Sequence, residues 1–262
     1  MIRRVVIVVA VFALPLVAGA AAELTVLSYN VRSARGGAER PEYRDENLEA
    51  LVAMIAEFAP DVVMLQELDR GVERSNRVDQ FDFIVERTGM AGRFARTVDY
   101  QGGRFGIALL TRHAPVSYDE VRIPRLGGKE PRALQHMRIR LADGTEVDLF
   151  NTHIDPRLIS RDQQIAIVLD EATARRGERA VLGGDFNATP RADSIREILS
   201  SWQDAAAGGA GLPTFPARAP RVRVDYLFFA GEAISLDEFG SPDHRGISDH
   251  TPLLARFELS PD

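Results

Sequence analysis

Apolar and polar positions follow a helical repeat in three stretches of the chain. The clearest is Asp45–Phe58, which Pro60 ends because proline cannot continue a helix. Its apolar residues share one face at the spacing i, i+3, i+4 and i+7: Leu48, Leu51, Val52 and Ile55. Further helices are predicted over the proline-free stretch Arg157–Arg176 and over Ala192–Ser201.

Short apolar runs bounded by turn residues predict buried strands between these helices. The run Asp61–Gln66 is expected to carry Glu67 at its carboxyl end. The predicted strands are Leu24–Val31, Asp61–Gln66, Phe105–Thr111, Ala180–Gly183, Tyr226–Ala230 and Thr251–Phe257.

An alternating pattern in the middle of the chain predicts an antiparallel hairpin. Met137, Ile139 and Leu141 alternate with arginines, an Ala-Asp-Gly turn follows, and the pattern resumes over Glu146–Asn151. Hairpins and helical crossovers together favour an α/β fold of two packed mixed sheets with helices outside. The Gly/Ala/Pro-rich stretch Ala205–Pro220 is predicted to be a loop and a candidate mobile rim.

The first 22 residues have the pattern of a secretory signal peptide. Arg3 and Arg4 precede an apolar run, Val5–Val17, and small residues of the A-x-A type follow. The run is shorter than the roughly 20 residues that span a bilayer, so cleavage is favoured over an uncleaved anchor. We therefore expect an exported protein, periplasmic or extracellular, with a single domain over residues 23–262.

Charge and cysteine content narrow the class of protein. The net charge of −6 opposes a general nucleic-acid binder, and the absence of cysteine excludes disulfides. A local basic rim could still bind polyanions, and its candidates are Arg122, Arg125, Lys129, Arg132, Arg218, Arg221 and Arg223.

Carboxylate, amide and imidazole residues lie at the ends of the predicted strands. Oxygen ligands suit a hard cation such as Mg²⁺, and amides and imidazoles suit a phosphate, so no serine or cysteine nucleophile is required. Taken singly, each has an ordinary alternative as a turn cap or a surface group. The residues are Asn30, Glu67, Asn151, His153, Asp185, Asn187, Asp225, Asp249 and His250.

Six short motifs in this order, SYN, LQE, NTH, GGDFN, VDY and SDH, resemble the endonuclease/exonuclease/phosphatase superfamily with the DNase I-like fold. The resemblance covers Leu24–Phe257 and implies a four-layered α/β sandwich. Pro131-Arg132 in the middle motif and the NTHID run are similar to exported bacterial members. In the DNA-repair members an aspartate follows the first asparagine, whereas here Val31-Arg32 does.

The resemblance also implies roles for individual residues. Metal ligation falls to Glu67, Asn30 and Asp249. The catalytic set is His250, Asp185, Asp225, His153 and Asn187, in which Asp185 orients or deprotonates water and Asp225 fixes the tautomer of His250. Substrate binding falls to Asn151, Arg132 and Asn187, with Arg132 left open between a phosphate contact and plain surface charge.

The favoured function is an exported Mg²⁺-dependent phosphodiesterase or phosphomonoesterase for a small or lipid-derived substrate, with Mn²⁺ as an alternative metal. The alternatives are a secreted nuclease and a non-catalytic binding module on the same fold. The expected partners are a phosphoester, nucleic acid as substrate only, and peripheral contact with a membrane, while no protein partner is implied. A membrane-active variant requires an exposed apolar element, for which the candidates are Trp202 and Leu212–Pro216.

Overall fold

A computed structural model describes residues 22–37, 41–206, 211–243 and 246–261. The predicted signal peptide lies outside the described residues except for Ala22, which begins the first strand. No helix within the described ranges is long and apolar enough to cross a membrane.

The described residues form twelve strands and four α-helices. In chain order the strands are β1 (Ala22–Asn30), β2 (Val62–Arg70), β3 (Ala91–Tyr100), β4 (Gly103–Thr111), β5 (Ala114–Ile123), β6 (Arg132–Arg140), β7 (Glu146–His153), β8 (Ala180–Asp185), β9 (Gln203–Asp204), β10 (Asp225–Ala230), β11 (Ile234–Gly240) and β12 (Leu253–Leu259). The helices are α1 (Asp45–Phe58), α2 (Gln80–Thr88), α3 (Leu158–Arg175) and α4 (Asp193–Ile198).

The strands form two six-stranded mixed sheets, in the orders β11-β12-β1-β2-β4-β3 and β5-β6-β7-β8-β10-β9. Each sheet has one parallel pair at its centre, β1 with β2 and β7 with β8. A helix makes the crossover in both cases, α1 in the first sheet and α3 in the second. The carboxyl ends of these central strands therefore point to one edge of the molecule.

The two sheets pack face to face, and helices cover their outer faces, so the predicted α/β sandwich is confirmed. The apolar face of α1 packs on the first sheet and that of α3 on the second. Gly183 shows how closely the sheets approach, because a Cβ there would lie 2.7 Å from Met64 Sδ and 2.8 Å from Leu227 Cδ2. A side chain at position 183 would therefore force Met64 and Leu227 to shift.

The predicted helices and the central hairpin are present, with α1 at its predicted bounds and α4 shorter than predicted. The strands that the pattern missed are the four sheet edges, β3, β5, β9 and β11. Edge strands are exposed on several sides and therefore lack the apolar alternation that identifies buried strands. Trp202, a candidate membrane contact, is only 3% exposed and packs edge-on against Phe150.

A buried carboxylate anchors the outer face of the second sheet. Asp148 on β7 accepts hydrogen bonds from His136 Nε2 at 2.7 Å, Arg138 Nε at 2.9 Å and the amide of Gly177 at 2.8 Å. Burial would raise the pKa of Asp148, but these donors outweigh burial and hold it below its ordinary value.

We expect Asp148→Asn to lower the free energy of unfolding at neutral pH by about 3 kcal/mol, because it leaves His136 and Arg138 without their anion. Since the folded-state pKa is lowered, this stabilisation is present above the unfolded pKa and is lost as the pH falls through the folded value. Urea denaturation at neutral and acid pH measures the difference. The matched control is Asp170→Asn on the exposed face of α3, and an equal effect of both substitutions would contradict the assignment.

Candidate active site

The carboxyl ends of the central strands surround a cleft of about 410 Å³. Strand register aligns the residues of the second sheet, since His153 on β7 and Asp225 on β10 both pair with Asp185 on β8. Of the predicted site residues, those that line the cleft are Glu67, Arg132, His153, Asp185, Asn187 and His250.

Asn30 joins the two sheets at this edge. Its Nδ2 donates to Asp185 Oδ2 at 2.9 Å and to Glu67 Oε1 at 3.2 Å, while its Oδ1 accepts the backbone amide of Arg32 at 3.1 Å. A backbone amide can only donate, so this contact fixes the orientation of the side chain. Asn30 therefore turns its amide nitrogen towards the carboxylates and holds them, while its predicted part in a metal site stays a prediction.

Glu67 lies at a β-bulge inside β2 and not at the end of the strand as predicted. The register shifts between Leu65 and Leu68, and Glu67 has a φ of 60°. A left-handed backbone at a residue other than glycine costs about 1–3 kcal/mol and persists where its surroundings hold it. Ser33 helps to hold it, since its Oγ donates to the carbonyl of Glu67 at 3.0 Å. The bulge aims the carboxylate into the cleft.

Asp185 and Asn187 form a turn immediately after β8. The amide of Asn187 donates to Asp185 Oδ1 at 2.8 Å, and the side chain of Asn187 donates to the carbonyl of Ile154 at 2.9 Å. Asparagine tolerates the left-handed φ of 48° at this position. Burial, followed by the charge of Asp225, raises the pKa of Asp185 to about 7.

His250 and Asp225 form the hydrogen bond that was expected between them. The distance from His250 Nδ1 to Asp225 Oδ2 is 2.9 Å, and His250 Nε2 lies 3.8 Å from Asp185 Oδ2. Burial alone would lower the pKa of His250, but Asp225 and Asp185 outweigh burial and raise it to about 10. The imidazole is therefore cationic at neutral pH. The ring of Phe215 packs against it, with the two ring centroids 5.0 Å apart.

His153 has the opposite charge state. Burial, Arg132 and His250 hold its pKa well below the ordinary value, so the ring is neutral. Arg132 Nη1 lies 3.3 Å from His153 Nδ1, and a guanidinium can only donate, so Nδ1 accepts and Nε2 carries the proton, 3.6 Å from Asp185 Oδ2. Asn187 Nδ2, which lies 3.4 Å from Nε2, donates instead to the carbonyl of Ile154. Arg132 is 4% exposed, which rules out the alternative of plain surface charge.

Asn151 is not in the cleft, which corrects its predicted contact with substrate. It is fully buried between the sheets, where its Nδ2 donates to the carbonyls of Leu65 and Ala108 and to Gln135. Its Oδ1 accepts from Gln66 Nε2 at 2.8 Å. Asn151 thus positions the strand segment that precedes Glu67.

The cleft is also lined by residues that were not predicted to belong to the site, among them Arg74, Tyr100 and Phe105, and by Lys129, which was named only as a candidate for a basic rim. Arg74 forms two hydrogen bonds of 2.8 Å with Asp69 and lies over the rings of Tyr100 and Phe105 at 4.7 and 5.1 Å. Arg74 and Tyr100 lie in segments that no motif or apolar repeat marked, and Phe105 lies at the start of a strand that was predicted without a role in the site.

Two sets of residues could hold a metal. Asp185, Asp225 and His250 place one ligating atom each within 4.8 Å of one another. A metal ligated by His250 in this set would have to displace a proton from the imidazole, whose Nδ1 is already hydrogen-bonded to Asp225. The second set is Glu67 with Asp249. Burial raises the pKa of Asp249, and the charge of Glu67 raises it further, although Arg32 lies 3.1 Å away. A hard cation at these oxygens would relieve the repulsion between the two carboxylates.

The two sheets and the cleft at their common edge define the DNase I-like class of α/β sandwich proteins. The chain belongs to the endonuclease/exonuclease/phosphatase family, whose sequence profile matches residues 27–250. Members are generally hydrolases of phosphoester bonds and usually depend on a metal. No curated protein sequence is similar enough to add to this comparison.

Solved structures support the fold. The chain is similar to an endonuclease/exonuclease/phosphatase from Beutenbergia cavernae (TM-score 0.73, 22% identity, 91% of this chain and 72% of that chain). It is similar to one from Bacteroides vulgatus (TM-score 0.73, 17% identity, 91% and 99%). It is also similar to the human Nocturnin catalytic domain, solved with a bound sulfate anion (TM-score 0.73, 20% identity, 90% and 93%). At these identities the likeness establishes the fold.

We expect Asp225→Asn to lower the pKa of His250 from about 10 to near or below 6.5, because the main opposing charge is removed while burial remains. NMR titration of the ring protons measures this value. In the unsubstituted protein the raised pKa stabilises the fold below about 6.5, and that contribution is lost as the pH rises through about 10.

The control for this titration is Asp61→Asn, which removes the carboxylate 3.1 Å from His113 and should leave His250 unchanged. A His250 that titrates at the same pH with and without Asp225 would overturn the charge state assigned to the cleft.

Proposed function

We propose that the protein is an exported Mg²⁺-dependent hydrolase of phosphodiesters or phosphomonoesters, acting on a small or lipid-derived substrate. The observation that carries the proposal is the division of charge across one cleft. Asn30 holds the carboxylates of Glu67 and Asp185. These carboxylates face the cationic side chains of His250 and Arg132 across the cleft. A phosphoester in the cleft would contact both sides.

The cationic side provides the contacts for phosphate. The guanidinium of Arg132 and the Nε2 proton of His153 are donors that the structure directs into the cleft, and His250 adds a positive charge. Charged donors form stronger hydrogen bonds with phosphate oxygens than neutral donors do. The sulfate bound to human Nocturnin is an anion of the same shape as phosphate, and it supports an oxyanion site in this fold.

The carboxylate side provides the group that acts on water. Asp185, with a pKa raised to about 7, can accept a proton from or orient a water that attacks the phosphorus. His250, held by Asp225, offsets the negative charge that develops on the phosphate oxygens. Glu67 and Asp249 would hold Mg²⁺, which would supply further positive charge beside the phosphate.

The size and charge of the cleft support a small substrate. Its volume of about 410 Å³ accommodates a phosphate with one modest substituent, and Tyr100 and Phe105 provide an apolar wall for that substituent. The net charge of −6 opposes the long-range attraction of nucleic acid. Export is supported by the arginines and apolar run within the first 22 residues.

We expect turnover of a phosphodiester or phosphomonoester that needs Mg²⁺, stops with chelator, and falls by at least about 10²-fold in His250→Ala. The measurement is a panel of a generic phosphodiester, a phosphomonoester, sphingomyelin and plasmid DNA. The matched control is His113→Ala, because His113 pairs with Asp61 away from the cleft. A preference for DNA would move the assignment to a nuclease, and no turnover of any substrate by the folded, metal-loaded protein would favour a binding module.

The pH dependence of kcat/KM should be bell-shaped. Activity should rise as Asp185 loses its proton around pH 7 and fall as His250 loses its proton around pH 10. Asp225→Asn should move the alkaline limb to lower pH, since the pKa of His250 falls in that variant. A pH–rate profile with the same alkaline limb in both proteins would contradict the role of the imidazolium.

A further inference from the structure

Two adjacent aliphatic side chains are exposed beside the mouth of the cleft. Leu158 is 63% exposed and Ile159 76% exposed at the start of α3, and they are the two most exposed large hydrophobic residues in the described part of the chain. Leu126, in the neighbouring loop of residues 124–131, is half-buried. Single exposed aliphatic residues are common, but an adjacent pair at this exposure indicates an apolar contact surface.

Exposed basic residues surround this pair. Arg125 and Lys129 lie in the loop 124–131, and Arg157 immediately precedes Leu158. The nearby acids are already engaged, because Asp155 is buried and its carboxylate accepts three hydrogen bonds, and Glu130 pairs with Arg132. The surface is therefore locally cationic on a chain of net charge −6.

Hydrogen bonds hold the loop against the helix, so the two parts form one surface. Arg157 Nη1 donates to the carbonyl of Gly127 at 3.5 Å, and Gln164 Nε2 donates to the carbonyl of Pro124 at 3.1 Å. The backbone amide of Lys129 donates to Asp155 at 3.0 Å. We call this surface the basic–apolar rim and define it by Leu126, Leu158, Ile159, Arg125, Lys129 and Arg157.

The basic–apolar rim is continuous with the cleft. Lys129 and Pro156, which come from its loop and from the residue next to Arg157, line the cleft together with Arg132 and His153. A surface that contacts the rim therefore lies at the entrance to the candidate active site.

We propose that the basic–apolar rim docks the protein on an anionic lipid bilayer. Aliphatic side chains that enter the interface and cations that face anionic headgroups are the two signals that peripheral membrane binding requires. Docking would deliver a lipid-derived phosphoester to the cleft, and this benefit rests on the proposed function. The binding of the rim to the bilayer does not depend on that function.

The composition of the rim favours lipid over nucleic acid. Single-stranded nucleic acid is bound by aromatic side chains on which bases stack, and the residues that protrude here are Leu158 and Ile159. The aliphatic pair would add nothing to phosphate-backbone contacts. Of the two contacts expected from the sequence, Trp202 is buried, and Leu212 in the segment Leu212–Pro216 is 38% exposed, less than Leu158 or Ile159.

The test is cosedimentation with vesicles of phosphatidylglycerol and phosphatidylcholine in equal parts, and with vesicles of phosphatidylcholine alone. The full chain and residues 23–262 are both used, so that the apolar run Val5–Val17 cannot account for binding. The variants are the double substitution L158S/I159S, the double substitution R125Q/R157Q, and the control Leu199→Ser. Leu199 is 44% exposed and lies near Ile234.

We expect salt-sensitive binding to the anionic vesicles. L158S/I159S should weaken it at least about tenfold through the loss of apolar insertion. R125Q/R157Q should weaken it by a similar factor through the loss of charge attraction, and only on anionic vesicles. Leu199→Ser should bind like the unsubstituted protein.

The proposal would be overturned if the unsubstituted protein did not bind anionic vesicles at low salt. It would also be overturned if L158S/I159S and Leu199→Ser lost vesicle binding to the same extent. A third contrary result is binding to single-stranded DNA and to vesicles with equal affinity, unchanged in L158S/I159S. Turnover of a water-soluble phosphodiester separates this proposal from the proposed function. Because Leu158 and Ile159 lie outside the cleft, L158S/I159S should retain that turnover even while vesicle binding is lost. Vesicle binding without turnover of any substrate would support the docking surface and contradict the proposed function.

Discussion

The hydrogen bond from Asn30 to Asp185 is the contact on which the candidate site depends. It links the last residue of β1 in one sheet to the last residue of β8 in the other, across 155 positions of the chain. Because the same amide also binds Glu67, one side chain sets the separation of two carboxylates. Packing of the sheets through Gly183 brings these strand ends within hydrogen-bonding distance. The fold and the site therefore share one constraint, the close approach of two sheets at one edge.

Burial gives the residues of the cleft different charge states although they lie within a few ångströms of one another. His250 is cationic because it faces Asp225 and Asp185, whereas His153 is neutral because it is buried beside Arg132. The same side chain is thus a positive charge at His250 and a neutral hydrogen-bond donor at His153. Separation of charge across the cleft suits phosphoester hydrolysis, since negative charge develops on the phosphate oxygens while the attacking water loses a proton.

The sequence predicted what depends on local pattern and missed what depends on tertiary contacts. The helix α1 and the hairpin of β6 and β7 follow from apolar repeats. Most motif residues at the strand ends line the cleft or bind a residue that does, whereas Asn151 lies between the sheets. The bulge at Glu67 was not predicted because its left-handed backbone is held by Ser33, a distant residue. The interior position of Asn151 and the orientation of the Asn30 amide likewise depend on partners from other strands. Edge strands such as β3 lack apolar alternation, so the aromatic wall of the cleft also remained unseen.

Asn30 holds the carboxylates of Glu67 and Asp185 in place through its amide nitrogen. The decisive experiment compares kcat/KM for a soluble phosphodiester between Asn30→Ala and the unsubstituted protein at saturating Mg²⁺. We expect a loss of about 10²-fold that added Mg²⁺ does not restore, because a misplaced carboxylate lowers the rate rather than metal affinity alone. Activity close to that of the unsubstituted protein, or full recovery at high Mg²⁺, would contradict it.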